Sequence, residues 1–197
     1  MTDSLKVILC SVDRPLTQAW QRFCGDLAFV QIHDGSILEV DSDAVLSPAN
    51  SFGFMDGGID ALYLTHFGRD VQRRLQSVIA STHHGELLVG QADIIPTGVD
   101  RPAWLIAAPT MRVPMILEES VNPYLAARAA LLLVRDGTFA HGPMKGHRIA
   151  EHVRTVALPG LGTGVGCVPP SVCAHQVRAA IEEVLAEMGV RLAAKAA

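Results

Sequence analysis

Apolar positions along the chain fall into short runs that take turns with longer stripes at helical spacing. The run 7–12 (Val7-Ile8-Leu9-Cys10-Ser11-Val12) is rich in apolar and β-branched residues with little alternation. That pattern predicts a strand buried on both faces. Asp13 then offers a helix cap and Pro15 a first-turn proline. The helix they open carries Leu16, Ala19, Trp20 and Phe23 at helical spacing and stops near Gly25, with Trp20 read as a core anchor. Residues 27–32 predict a second strand followed by an Asp34-Gly35 turn, and residues 44–47 a third. From Ile59 to His83 the pattern is helical, with a break at Phe67-Gly68. Val71, Leu75, Val78 and Ile79 form its apolar stripe, leaving Arg69, Arg73 and Arg74 toward water.

Residues 91–96 and 103–109 predict two further strands, joined like a hairpin by the turn-rich stretch 97–102. A loop at 110–115 carries Arg112, which suits an anionic ligand or, more simply, a surface ion pair. Residues 121–134 predict a helix capped by Asn122 with Pro123 in its first turn, and 137–147 a polar surface segment. The strand 155–158 precedes a last helix opened by Pro169-Pro170 and running through Met188. Strands alternating with helices predict an α/β fold, a three-layer α/β/α sandwich with a mixed, mostly parallel central sheet. A length of 197 residues suits one domain spanning 1–197.

Composition narrows the function without naming it. With 49% hydrophobic and 18% charged residues the chain is globular, and a net charge of −4 gives no support for a nucleic-acid partner. The start, Met1 to Lys6, lacks the regions of a signal peptide, and 7–12 is too short to cross a membrane. A cytoplasmic protein with no membrane partner is expected. The four cysteines form no CxxC pair and read as free thiols packed as small hydrophobes. Cys167 differs by lying in a glycine-rich loop, but no adjacent base marks it as a nucleophile. The eight histidines show no zinc spacing, and neither a metal nor a cofactor is expected.

Two glycine-rich strand-to-helix loops carry the candidate chemistry. The first is 47–60 (Ser47-Pro48-Ala49-Asn50-Ser51-Phe52-Gly53-Phe54-Met55-Asp56-Gly57-Gly58-Ile59-Asp60), the second 158–169 (Leu158-Pro159-Gly160-Leu161-Gly162-Thr163-Gly164-Val165-Gly166-Cys167-Val168-Pro169). Glycine allows close backbone approach to a ligand, and a following helix start offers unpaired N–H groups to an anion. Strand carboxyl ends open on one crevice in such sheets, so both loops predict a diphosphate gripped from two sides. Neither loop is a GxxxxGK[ST] motif, and the second leaves no room for the ribose-reading acid of a dinucleotide fingerprint.

Together the loops resemble those of the macrodomain family, whose members bind ADP-ribose and in some branches hydrolyse its derivatives. The family's NAAN, glycine run and valine-aspartate stand here as Ser47-Pro48-Ala49-Asn50 and Asp56-Gly57-Gly58-Ile59-Asp60. The family's ISTGIYGFP-type loop stands here as Leu161 to Pro169, with Gly160 just before it. The form of the first loop resembles a bacterial or phage-tail-associated branch. The resemblance implies ADP-ribose or an ADP-ribosylated protein as partner. It further implies that Asn50 bonds the distal ribose and that Ala49, Gly57, Gly58 and Ile59 approach the ligand through the first loop. Gly162, Thr163, Gly164, Val165 and Gly166 would clasp the phosphates, and Asp60 would hold or activate a water in the hydrolytic members.

Three departures bear on the ligand. Ser47 replaces the first family asparagine, and Gly166 stands where the family has an aromatic residue near the ribose. The aspartate that bonds the adenine amine aligns with Ser36, with Asp34 as its substitute if the turn is rearranged. Phe52 or Phe54 could restore aromatic surface, although such residues usually pack. Asp60, expected to be ionised because free aspartate titrates near about 3.9, would orient water, and Asn50 would position the ribose. Both also suit plain structure: an acid favours a helix start and asparagine favours a turn. Hydrolysis at the distal ribose, non-catalytic reading of ADP-ribose and a repurposed scaffold therefore remain open.

Overall fold

Alternate residues of each strand go to opposite hydrophobic layers. In the computed structural model, which describes residues 5–186, strand β1 (Lys6–Ser11) sends Val7 and Leu9 to one face and Ile8 and Cys10 to the other. Strand β3 (Ala44–Ser47) divides in the same way, with Ala44 and Leu46 opposite Val45. This double burial is why these segments read as continuous apolar runs.

Six strands form one sheet in the order β2-β1-β6-β3-β5-β4, completed by β2 (Val30–Asp34), β4 (Asp93–Pro96), β5 (Trp104–Ala107) and β6 (Thr155–Leu158). All neighbours run parallel except β4 and β5, which pair antiparallel with Ile94 opposite Ile106. The mixed sheet is therefore as predicted. Helices α1 (Arg14–Cys24), α4 (Asn122–Asp136) and α5 (Pro170–Ile181) cover one face through Leu16, Trp20, Ala126, Ala130, Cys173 and Val177. Helices α2 (Gly58–Phe67) and α3 (Arg69–Thr82) cover the other through Tyr63, Val71, Leu75 and Ile79. Trp20 is fully buried, the anchor expected of it. Among the described residues no helix is long and apolar enough to cross a membrane.

Several boundaries move, each for a local reason. Strand β2 starts at Val30, not residue 27, because Leu27 N–H donates to the Cys24 carbonyl (3.2 Å) and Val30 N–H to the Leu27 carbonyl (2.9 Å), closing a turn. It ends on Asp34, paired with Ser11. The long helical pattern divides at Gly68, whose φ of 80° no other residue type adopts readily. Asn122 does not cap α4; it is the first helical residue, and its Nδ2 donates to the Thr110 carbonyl (2.7 Å). Arg74 leaves the solvated face to donate to the Pro96 and Thr97 carbonyls (3.3 and 2.9 Å). The segment 137–147 is not wholly surface, since Phe139 is buried against Trp104. After α5 the chain continues as a π-helical turn over Glu182–Ala186, and the predicted extension to Met188 lies outside the described residues.

Candidate ligand cavity at the strand carboxyl ends

Parallel order puts the carboxyl ends of β1, β3 and β6 side by side, and the segments leaving them enclose a cavity of about 350 Å³. From the first loop it is lined by Ala49, Asn50, Phe54, Asp56, Gly57, Gly58, Ile59 and Asp60. From the second it is lined by Gly160, Gly162, Thr163, Gly164, Val165 and Gly166. Ser36 lines it as well. Asp34 does not: its carboxylate accepts from Thr17 Oγ1 (3.1 Å). The strand that carries Asp34 holds it one residue before the turn, facing α1 rather than the crevice.

Among the described residues the lining contains no lysine, arginine or histidine. Beside a few hydroxyls and the Asn50 amide, its donors are backbone N–H groups. Those of Gly162, Thr163, Gly164, Val165 and Gly166 have no protein acceptor among the described residues, while Cys167 and Val168 N–H close the loop onto the Gly164 and Gly162 carbonyls (both 3.0 Å). Across the cavity α2 begins at Gly57 with no side-chain cap, leaving the first-turn N–H groups without a side-chain acceptor. Two sets of free N–H groups therefore meet one space, the arrangement that binds anions without a cationic side chain.

Gly57 and Gly164 sharpen this point. Gly57 has extended backbone (φ −143°, ψ 159°), Gly164 lies outside the left-handed region, and a Cβ on either would touch nothing within 4 Å. The protein itself gives neither a reason to be glycine. Gly166 is different, because a Cβ there would lie 2.6 Å from the Gly162 carbonyl and 2.9 Å from Leu117 Cδ1. Leu117, whose N–H donates to the Gly166 carbonyl (2.7 Å), fills the space beside it.

Asn50 holds its own loop. Its Oδ1 accepts from Phe52 and Phe54 N–H (3.0 and 3.3 Å) and its Nδ2 donates to the Phe54 carbonyl (2.9 Å). One amide hydrogen is left for a ligand. Phe54, 53% exposed on the cavity wall, is the aromatic surface available; Phe52 instead stacks under Arg112 (5.1 Å). Arg112 forms the surface ion pair anticipated for it, with Glu86 (2.6 and 3.2 Å), and does not reach the cavity.

Asp60 departs from expectation. It sits in the first turn of α2, only 4% exposed, with its Oδ1 accepting from Ser47 Oγ. Burial pushes its carboxyl up to about 7, a rise that the Ser47 bond only partly offsets. It is therefore not the fully ionised acid that its free value implies. Tyr63, buried beside it with its hydroxyl donating to the Leu46 carbonyl (3.0 Å), is raised further by burial and by the Asp60 charge. Burial likewise pushes the Cys10, Cys24 and Cys173 thiols up to about 12, and Cys167 is exposed on the second loop at φ 55°.

Sequence reasoning misses Val12, Asp13, Thr110, Met111 and Pro114 in the lining. A signal for the first two exists: β1 also ends at the crevice, so the residues just past Ser11 must line it. The pattern around Asp13 points to a cap alone, and it does cap α1.

The class these features define is an α/β/α sandwich with an anion-suited crevice between two glycine loops. A model of the Macro domain matches residues 46–177, and the chain belongs to the macrodomain family. An uncharacterized protein of Aquifex aeolicus is 33% identical over 155 residues, covering 79% of this chain and 80% of that one. The macrodomain of Mycobacterium tuberculosis DarG superposes with a TM-score of 0.60 at 18% identity, covering 77% of this chain and 88% of that one. A macrodomain variant of Oceanobacillus iheyensis, solved with ADPR, also gives 0.60 at 19% identity, covering 77% and 75%.

Proposed function

We propose that the cavity binds ADP-ribose or an ADP-ribosyl derivative, with its diphosphate between the N–H groups of Gly57–Ile59 and Gly162–Gly166. The observation that carries this reading is the run of five N–H groups without a protein acceptor, facing a cavity that also receives the uncapped start of α2. A diphosphate supplies acceptors to both sets, and Gly57 and Gly164 leave room for it. The ADPR in the Oceanobacillus iheyensis relative supports this choice of ligand. Calorimetric titration with ADP-ribose, against AMP and ribose 5-phosphate, tests it. Selective heat from ADP-ribose is expected; no heat at millimolar ligand would move the assignment to a scaffold that has lost its ligand.

A second reading, hydrolysis at the distal ribose, is favoured by Asp60. A cavity carboxyl titrating near 7 matches the operating pH of a general base better than an ordinary aspartate does. Asn50 would use its remaining amide hydrogen to hold the ribose. Turnover of an ADP-ribosylated protein or O-acyl-ADP-ribose by the wild type, lost in Asp60→Ala with binding retained, is the expected result. Binding without turnover would leave a non-catalytic reader.

A further inference from the structure

We infer that Leu117 is the positioning residue of the second glycine loop: from outside the cavity it fixes the directions in which that loop presents its N–H groups to the ligand. This rests on the nucleotide reading above. Leu117 lies in the segment between β5 and α4, and that segment is bonded to both glycine loops. At its start Thr110 N–H and Oγ1 donate to the Ala49 and Pro48 carbonyls (3.3 and 2.8 Å), and Ser51 N–H donates to the Met111 carbonyl (3.1 Å). Further on, Leu117 N–H donates to the Gly166 carbonyl (2.7 Å), while the Leu117 carbonyl accepts from Ser120 N–H (2.9 Å). The Ser120 carbonyl accepts in turn from Gln176 Nε2 of α5 (2.8 Å). Leu117 is thus anchored to the helix layer, and it is not among the residues that line the cavity.

Peptide geometry explains what its backbone bond achieves. In a planar trans peptide the carbonyl of one residue and the N–H of the next point in opposite directions. The Gly162 and Gly164 carbonyls accept from Val168 and Cys167 N–H (both 3.0 Å), which turns Thr163 and Val165 N–H away from those bonds. Thr163 and Val165 both line the cavity. Cys167 N–H shares its peptide plane with the Gly166 carbonyl. The bond from Leu117 therefore fixes the plane that holds the Gly164 carbonyl, and with it the direction of Val165 N–H. Were these planes turned over, carbonyl oxygens would face the diphosphate in place of donors.

The side chain acts in the same sense by packing. Leu117 is buried, and its Cδ1 lies 3.2 Å from where a Cβ of Gly162 would stand and 2.9 Å from that of Gly166. A Cβ on Gly164, between them, would touch nothing within 4 Å. The loop thus rests its two ends on Leu117 and turns its middle to open space. Truncating Leu117 leaves a void beside two glycines, the residue type whose backbone resists rotation least. The donors then lose the fixed directions that make binding cheap in ordering entropy.

The test compares the full chain as wild type, Leu117→Ala, Leu117→Met and Leu131→Ala, by ADP-ribose titration and by amide hydrogen exchange. Leu131 is fully buried in α4 and does not line the cavity, so its truncation reports a core loss alone. Leu117→Ala is expected to lower ADP-ribose affinity about tenfold and to speed exchange of Cys167 and Val168 N–H. Leu117→Met, which keeps the volume, is expected to restore both. Leu131→Ala is expected to leave affinity within about twofold of wild type. If Leu117→Ala does not fold, the smaller truncation Leu117→Val carries the same comparison with a smaller loss. Wild-type affinity in the folded Leu117 truncation overturns the inference, as does an equal loss in Leu131→Ala or no recovery in Leu117→Met. Wild-type protein that binds no ADP-ribose overturns the nucleotide reading instead, and the exchange comparison then decides by itself whether Leu117 fixes the loop.

Discussion

Ser47 donates its hydroxyl hydrogen to the carboxylate of Asp60, and the two are buried together where β3 ends and α2 begins. The pair joins the sheet to the helix that carries the first glycine loop. It also makes Asp60 a cavity carboxyl whose charge is set by burial.

A pH dependence of stability follows. The Asp60 carboxyl rises from an ordinary 3.8 in the unfolded chain to about 7 in the folded one. The folded state therefore holds the proton more tightly, its stabilisation is full below the unfolded value, and it is lost as pH rises through the folded value. The span corresponds to about 4 kcal/mol, an order-of-magnitude figure. Asp60→Asn, neutral throughout, is expected to lose this part of the slope between about pH 4 and 7 in denaturant melts. A wild-type slope retained in full by the Asp60→Asn variant would contradict the assignment.

Ligand affinity is expected to share that proton. An anion near Asp60 binds best while the carboxyl is neutral, so ADP-ribose affinity should fall as pH rises from about 6 to about 8.5. The fall should shrink in Asp60→Asn. Calorimetry across that range reads both, and an affinity that rises with pH would exclude the arrangement.

The glycines separate by purpose. Gly164→Ala places its Cβ in open cavity, so its stability is expected near wild type, within about 0.5 kcal/mol, while ADP-ribose affinity drops. Gly166→Ala drives a Cβ against the Gly162 carbonyl and Leu117, and about 1–3 kcal/mol of stability should be lost. Melting both variants with and without ligand checks the contrast.

Two of the scattered histidines have a shared partner. Buried Asp93 accepts from His83 Nε2 on one side (2.8 Å) and His141 Nε2 on the other (3.0 Å), tying the end of α3 and the segment 137–147 to the edge strand. Asp93→Ala removes the acceptor for both rings, at an expected cost of about 1–3 kcal/mol. A lowered denaturant midpoint with faster proteolysis within 137–147 is the predicted outcome.

How much of this is legible in the sequence depends on whether the cause is local. Runs such as Val7–Cys10 announce strands because double burial leaves a compositional mark, and Gly68 announces a helix break through its own backbone. The loop glycines stand out for the same reason. What stays hidden is how polar groups share partners. Asn50 is legible as an amide, but not that Phe52 and Phe54 take most of its hydrogen bonds. Asp60 is legible as an acid at a helix start; its burial arises from packing beneath β3, which no neighbouring residue announces. Asp34 is legible as a turn residue, but not that β2 runs on to include it and leaves its carboxylate accepting from Thr17.

The position of β6 carries a consequence for how the protein is made. It is the last strand among the described residues, yet it lies between β1 and β3, and the second glycine loop follows it directly. A nascent chain that has emerged only through β5 lacks the strand that joins the two halves of the sheet. Until roughly 20 further residues beyond Leu158 have left the ribosome, α5 cannot close over the sheet either, so the crevice has one wall. A crevice with both glycine loops in place therefore exists only once this region of the chain has been made.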